Sequence, residues 1–530
     1  YDTVLQDIIP VGMRNGAATI TMVSVQLLSG PVLPNLAPAY DSVTGVATWN
    51  FDSGTADQYS IPAGDTLRIV YQTQADAGIG AGLTLTNQAQ DQLYYSFDDD
   101  GVPTLGGING VREIYGPSNV ASVTFTTDTP DALVKQNPAA LTAAVGQPFT
   151  YRITVPATPQ VTVLHDVRIL DDLSASAADL SFIGVAKISG SLPWAPANTG
   201  TATNLVIEDT TIGIDIPAGE QIVIDITVIL EDTPTNVSGL QFSNTADYTY
   251  NSIDNDPATQ TSGGPATTGS MTIVGPDVLT MEKNGPATMS LGVPAGFSLN
   301  VHNPSTGTAW NPTIIDRLPN GATGGTCGAG PSNVTAQFFE ADGVTPASAM
   351  LVESTDYQVN FSGAPVCEWI FQLLSPSGGL TPTRRLIVNY DTELDPATQN
   401  EATLTNVAGV VQWYSFDPEV ANAASRIYTH TLTDGTPETL DHEDAHTVNT
   451  EVPVLDFIKR VRNVTTGQNP GLNASPGDTL HYTIQVINTG PVGLSSFSIV
   501  DEVDNLNTPP LFAAGSLALT SVPVGADTSG

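Results

Sequence analysis

Residues Leu455 to Gly490 read LDFIKRVRNVTTGQNPGLNASPGDTLHYTIQVINTG. A lysine sits in an apolar run, a Pro-Gly-Asp turn follows, and apolar and polar residues then alternate from Leu480 to Ile487, as in a half-buried strand. The same plan recurs at Asp131 to Val155 (DALVKQNPAALTAAVGQPFTYRITV) and at Asp277 to Asn303 (DVLTMEKNGPATMSLGVPAGFSLNVHN), so the chain is a tandem array. Lys135, Lys283 and Lys459 lie 148 and 176 residues apart, which sets the size of the repeating unit. A length of roughly 150 residues per domain predicts about three or four domains in such a chain.

Three further landmarks keep register with the lysine. An aspartate closes a strand before a turn: LQDIIPVG at Asp7, RILDDLSA at Asp171, IIDRLPNG at Asp316 and SIVDEVDN at Asp501. A Pro-Ala-Gly turn then opens an alternating strand, IPAGDTLRIVYQT from Ile61 and IPAGEQIVIDITV from Ile216, with the looser LTPTRRLIVNYDT from Leu380. Last comes an Asn-x-Ala strand at Asn87, Asn244 and Asn406, which follows the turn landmark by 26, 28 and 26 residues. A junction strand starts 13 residues before each lysine, at Ser122, Ser270 and His446. Such short, similar joints favour a regular array over beads on a string.

No dozen-residue segment holds a 3.6-residue apolar period, and short strand candidates alternate with turn clusters. The expected fold is all-β: tandem β-sandwich domains arranged as an elongated rod. The expected divisions are 1–130, a repeat lacking its N-terminal part; 131–275, complete; 276–451, complete, with an insertion and a disulfide; and 452–530, the N-terminal part of a further repeat. Tyr1 and Gly530 both fall within repeats, so the expectation is an excerpt of a longer chain.

Asp and Glu outnumber Lys and Arg by 54 to 15, giving a formal charge of −39, so a phosphate backbone is repelled and nucleic acid is not an expected partner. No apolar run approaches the ~20 residues of a membrane span. The best stretch, Gln221 to Leu230, is interrupted by Asp225 and alternates like a strand.

The chain has four lysines, and three hold the same repeat position, beside Leu133 and Val134, Leu279 and Met281, and Phe457 and Ile458. A lysine in apolar surroundings needs a partner or must lose its charge. Each complete repeat supplies one aspartate and one asparagine: Asp171 and Asn244 for Lys135, Asp316 and Asn406 for Lys283. A neutral amine can attack the Asn carboxamide while a protonated Asp polarises its carbonyl, so that ammonia leaves and an isopeptide bond stays. The other reading is a buried Lys–Asp ion pair beside a turn asparagine, without covalent chemistry.

The pattern of Lys, PGDTLHYTIQVINTG, Asp before a turn and Asn-x-Ala resembles a bacterial cell-surface repeat domain of unknown function, and is similar to the isopeptide-forming immunoglobulin-like domains of fimbrial shafts. The resemblance implies immunoglobulin-like β-sandwich domains, with lysine on the first strand, asparagine on the last and a catalytic carboxylate between them. It also implies two partial sets, Asp7 with Asn87 and Lys459 with Asp501. The copies depart from the pattern where Asp172 follows Asp171, leaving the acid ambiguous, and where DEVD follows Val500.

Cys327 and Cys367 are the only cysteines, and pairing them implies an oxidising compartment. His442 to His446 reads HEDAH and satisfies the H-E-x-x-H zinc pattern, but that chemistry needs a helix and the register places a strand here. No cofactor is expected. Acidic clusters at Asp98, Asp99 and Asp100 and at Asp254 and Asp256 offer oxygen ligands for calcium, without helix-loop-helix spacing. The expected role is a non-enzymatic extracellular structural protein of the cell surface, a stalk, fibre or surface-layer component, whose partners are copies of itself or other surface components in a fibre or lattice. An adhesin that displays a binding tip outside these residues is the alternative.

Overall fold

The computed structural model describes residues 1–530 except 15–19, 52–58, 97–112, 191, 210–212, 436–438, 504–507, 510, 527 and 529–530. Among the described residues the regular structure is all β, with three single-turn 3-10 helices, Leu173–Ala175, Pro257–Thr259 and Ser375–Ser377. No helix among them is long and apolar enough to cross a membrane.

The two units with complete landmark sets, unit two (131–275) and unit three (276–451), share one strand plan. In unit two, a sheet runs Val134–Gln136, Pro148–Val155, Ile222–Leu230 and Leu180–Ser189. It faces Asn204–Glu208, Leu164–Asp172 and Thr245–Asn251. Unit three repeats the first sheet with Thr280–Asn284, Ala295–His302, Arg385–Thr392 and Ser332–Phe339, and the second with Glu443–Glu451, Thr403–Tyr414, Trp310–Arg317 and Glu368–Leu373. After its lysine each chain segment leaves the first sheet: Thr142–Ala144 pairs parallel with Met271–Val274 in a small three-stranded sheet with Gln241–Phe242, and Thr288–Ser290 pairs parallel with Glu443–Glu451 at the edge of the second sheet. These are antiparallel sandwiches closed by a parallel edge.

Alternation explains the packing. Successive strand residues point to opposite faces, so Ile222, Ile224, Ile226 and Val228 are fully buried while Val223, Asp225 and Thr227 between them are only partly covered. One core gathers Ala81 and residues from Leu133 to Ile273, and a second those from Leu279 to Val452. The residues before Asp131 hold a smaller core around Val25, Ala47, Trp49 and Phe51. The strands Leu455–Asn463 and Leu480–Asn488 form a two-stranded sheet. Backbone hydrogen bonds also tie neighbouring units: Ala81 N to Val163 O at 3.0 Å, and Ala424 N to Gly146 O at 3.2 Å.

One close approach makes a stability test. Gly263 donates its N–H to Tyr248 O at 2.8 Å, and a Cβ there would lie 1.9 Å from the fully buried Tyr248 ring. Gly263→Ala is expected to cost ~1–3 kcal/mol by overpacking. The check is a lower denaturant midpoint at unchanged slope.

Candidate functional site

The three landmark polar residues occupy inward positions of otherwise apolar strand faces. Lys283 shares its side with Leu279 and Met281, Asp316 with Ile314, and Asn406 with Leu404, Ala408 and Val410, all of which are buried. A polar residue on a core face breaks the binary pattern, and such breaks concentrate at functional sites. In unit two the aspartate strand carries a bulge between Leu164 and Val167, with Asp166 at φ 51°, which changes the inward parity and turns Asp171 into the core. Asp172 faces out and caps the turn Leu173–Ala175 by accepting from Ser174 N at 3.0 Å. Of the two aspartates, Asp171 is therefore the one that enters the core.

In unit two Lys135 Nζ donates to Asp171 Oδ2 at 2.5 Å, and both side chains are sealed from solvent. Asn244 Nδ2 approaches the same oxygen at 3.4 Å. Asp171 Oδ1 and Asn244 Oδ1 are buried without a partner. Burial pushes the Lys135 ammonium down and the Asp171 carboxyl up, each against the opposing pull of its partner. Both shifts favour moving the proton from amine to carboxylate across the short contact.

Unit three adds a fourth group. Lys283 Nζ donates to Asp316 Oδ2 at 2.5 Å and to the Tyr390 hydroxyl at 3.0 Å. Tyr390 in turn donates to Asp316 Oδ2 at 2.6 Å and accepts from Asn406 Nδ2 at 2.8 Å. Asp316 Oδ1 and Asn406 Oδ1 are again unpartnered. Burial lowers the Lys283 ammonium, and burial together with Asp316 holds the Tyr390 phenol far above its usual range.

No protein-family model and no curated protein sequence matches the chain. Solved structures similar to it include the C-terminal domain of the Streptococcus pyogenes antigen I/II-family protein AspA, at 8% identity over 61% of this chain and 100% of that one, with a TM-score of 0.29. The collagen-binding domain of a Staphylococcus aureus adhesin matches at 12% identity over 32% of this chain and 96% of that one, with a TM-score of 0.19. Similarity at this level carries nothing about ligand or chemistry.

The partial sets are also brought together. Asp7 accepts from Asn87 Nδ2 at 2.5 Å and from the Tyr71 hydroxyl at 2.7 Å. Lys459 Nζ meets Asp501 Oδ1 at 2.6 Å in a pair that is only partly covered. Cys327 and Cys367 form a disulfide. The HEDAH stretch lies almost wholly on the strand Glu443–Glu451, where four residues span ~13 Å. His442 Nε2 faces Thr431 O and His446 Nε2 faces Pro286 O, so the two rings serve separate contacts. Asp254 groups with His165 and Asp215, with ligand atoms within 4.8 Å of one another. Asp256 instead caps a turn by accepting from Ala258 N at 3.1 Å. Asp98, Asp99 and Asp100 lie outside the described residues.

The tyrosines are what sequence reasoning missed. Tyr71 and Tyr390 each stand ten residues after the turn landmark, Ile61 or Leu380, where unit two has Ile226 after Ile216. That coincidence was the available signal.

Proposed function

We propose that the chain is a non-enzymatic structural component of a bacterial cell surface, a stalk, fibre or surface layer, whose complete units are each locked by one Lys–Asn isopeptide bond. The observation that carries this reading is the sealed Lys–Asp–Asn cluster at the same register in two units, with its lysine biased to the neutral, nucleophilic form. The amine nitrogen attacks the carboxamide carbon, the acid polarises the carbonyl, the C–Nδ2 bond breaks, and nitrogen leaves as ammonia. The reaction runs once per unit, with proximity supplying most of the acceleration. In unit three Lys283 lies on the first strand and Asn406 pairs with the closing strand, Asn406 opposite His446, so a link between them lets a pull on the ends bypass the residues between Lys283 and Asn406, while the closing strand Glu443–Glu451 stays in the load path.

The 530-residue chain is expected to weigh less than its sequence by two ammonias, one each for Lys135–Asn244 and Lys283–Asn406. Lys135→Arg should restore one of them. Digests should yield the two branched peptides, and an unshifted intact mass would sink the reading.

A further inference from the structure

We infer that the Tyr390 hydroxyl is a catalytic group of unit three, carrying a proton from the attacking Lys283 nitrogen to the leaving Asn406 nitrogen. The inference rests on the cross-linking reading above. Among the described residues, this hydroxyl touches all three members of the cluster, at 3.0 Å to Lys283 Nζ, 2.6 Å to Asp316 Oδ2 and 2.8 Å to Asn406 Nδ2.

The chemistry requires such a group. A planar carboxamide nitrogen donates hydrogen bonds and has no basic lone pair, as Asn406 does toward Tyr390. Once the carbonyl carbon becomes tetrahedral that nitrogen turns basic, and it leaves only after taking a proton. The attacking nitrogen arrives as a neutral amine, becomes cationic on forming the new C–N bond, and must give one proton away. A hydroxyl between them accepts that proton as it delivers its own to Nδ2, so lysine loses one hydrogen, ammonia gains one, and tyrosine is regenerated. The exchange needs only rotation of the O–H from Asp316 toward Asn406. The high phenol pKa keeps the hydroxyl protonated, which a donor needs.

Unit two is an internal comparison. Ile226 stands at the tyrosine position, and Asn244 Nδ2 faces Asp171 Oδ2 itself, 3.4 Å away, while Lys135 reaches the same oxygen at 2.5 Å. There the carboxyl group can pass the proton directly. In unit three the asparagine nitrogen meets the tyrosine instead, so the two units reach the same product by different proton routes.

The experiment follows both links in freshly synthesised full-length chain, sampled over time and digested, with the Lys135–Asn244 and Lys283–Asn406 peptides quantified by mass. Tyr390→Phe is expected to slow closure in unit three by ~100-fold or more, the usual contribution of acid–base catalysis, while unit two closes at its normal rate. A fluorinated tyrosine at 390 preserves shape and lowers the phenol pKa, and should shift the pH profile of unit three alone, which a purely structural hydroxyl would not do. Equal closure of unit three with Tyr390→Phe, or a pH profile indifferent to the fluorinated residue, overturns the tyrosine role and leaves the cross-link reading standing. A wild-type chain that links only unit two also overturns it, and one that links neither unit overturns both.

Discussion

Asp316→Ala is expected to leave unit three without its link and to make it ~3–5 kcal/mol less stable than Asn406→Ala, a variant equally unable to cross-link. The penalty follows from breaking a buried ion pair by removing one partner, which strands the other charge. Lys283 is sealed from solvent, and without Asp316 its partner in the cluster is the Tyr390 hydroxyl, which cannot neutralise an ammonium. The amine can escape by giving up its proton, at roughly 1.4 kcal/mol for each unit by which the ordinary lysine pKa exceeds ambient pH. Replacing both charges together, Lys283→Met with Asp316→Leu, should recover stability to near that of Asn406→Ala without restoring the link, because apolar isosteres of a buried pair are often neutral or better. Chemical denaturation with peptide mass reads both quantities. Equal stability of Asp316→Ala and Asn406→Ala would show that the lysine does not depend on the acid. The link itself joins residues 123 positions apart, Lys283 and Asn406, and a loop-closure argument of the kind used for disulfides assigns it about 5 kcal/mol.

The second large effect is removal of the disulfide. Cys327 and Cys367 are 40 residues apart in sequence and both buried, and the loop-closure estimate for that span is ~4 kcal/mol. The bridge joins the segment after the aspartate strand to the hairpin of Tyr357–Ser362 and Glu368–Leu373. That hairpin pairs with the aspartate strand itself, Asp316 opposite Trp369. The double variant Cys327→Ala with Cys367→Ala should therefore lower the unfolding transition of unit three and leave that of unit two in place. Calorimetry of the full chain resolves the two, and a shift in both transitions would mean that the units do not unfold separately.

Much of this architecture was legible beforehand. Constant intervals between landmarks required equivalent strands, and Ile222–Leu230, Arg385–Thr392 and Leu480–Asn488 form where alternation and turn residues placed them. Lys135, Lys283 and Lys459 stood out because lysine is nearly absent elsewhere, and each meets the aspartate expected for it. The pairing of two lone cysteines needed only counting.

Local pattern could not choose between Asp171 and Asp172. Counting by twos from Leu164 would send Asp172 inward, but the bulge at His165 and Asp166 inserts a residue and sends Asp171 inward instead. In unit three a bulge between Trp310 and Thr313, with Asn311 at φ 46°, likewise precedes Asp316. Nor could local pattern reveal that Tyr390 bridges Lys283, 107 residues away, and Asn406, because the contact depends on how three strands pack across two sheets. Strand identity follows from side-chain period and turn chemistry within a few residues. Which acid is sealed with the amine, and which hydroxyl stands between amine and amide, follow from long-range register, where one inserted residue reverses a face.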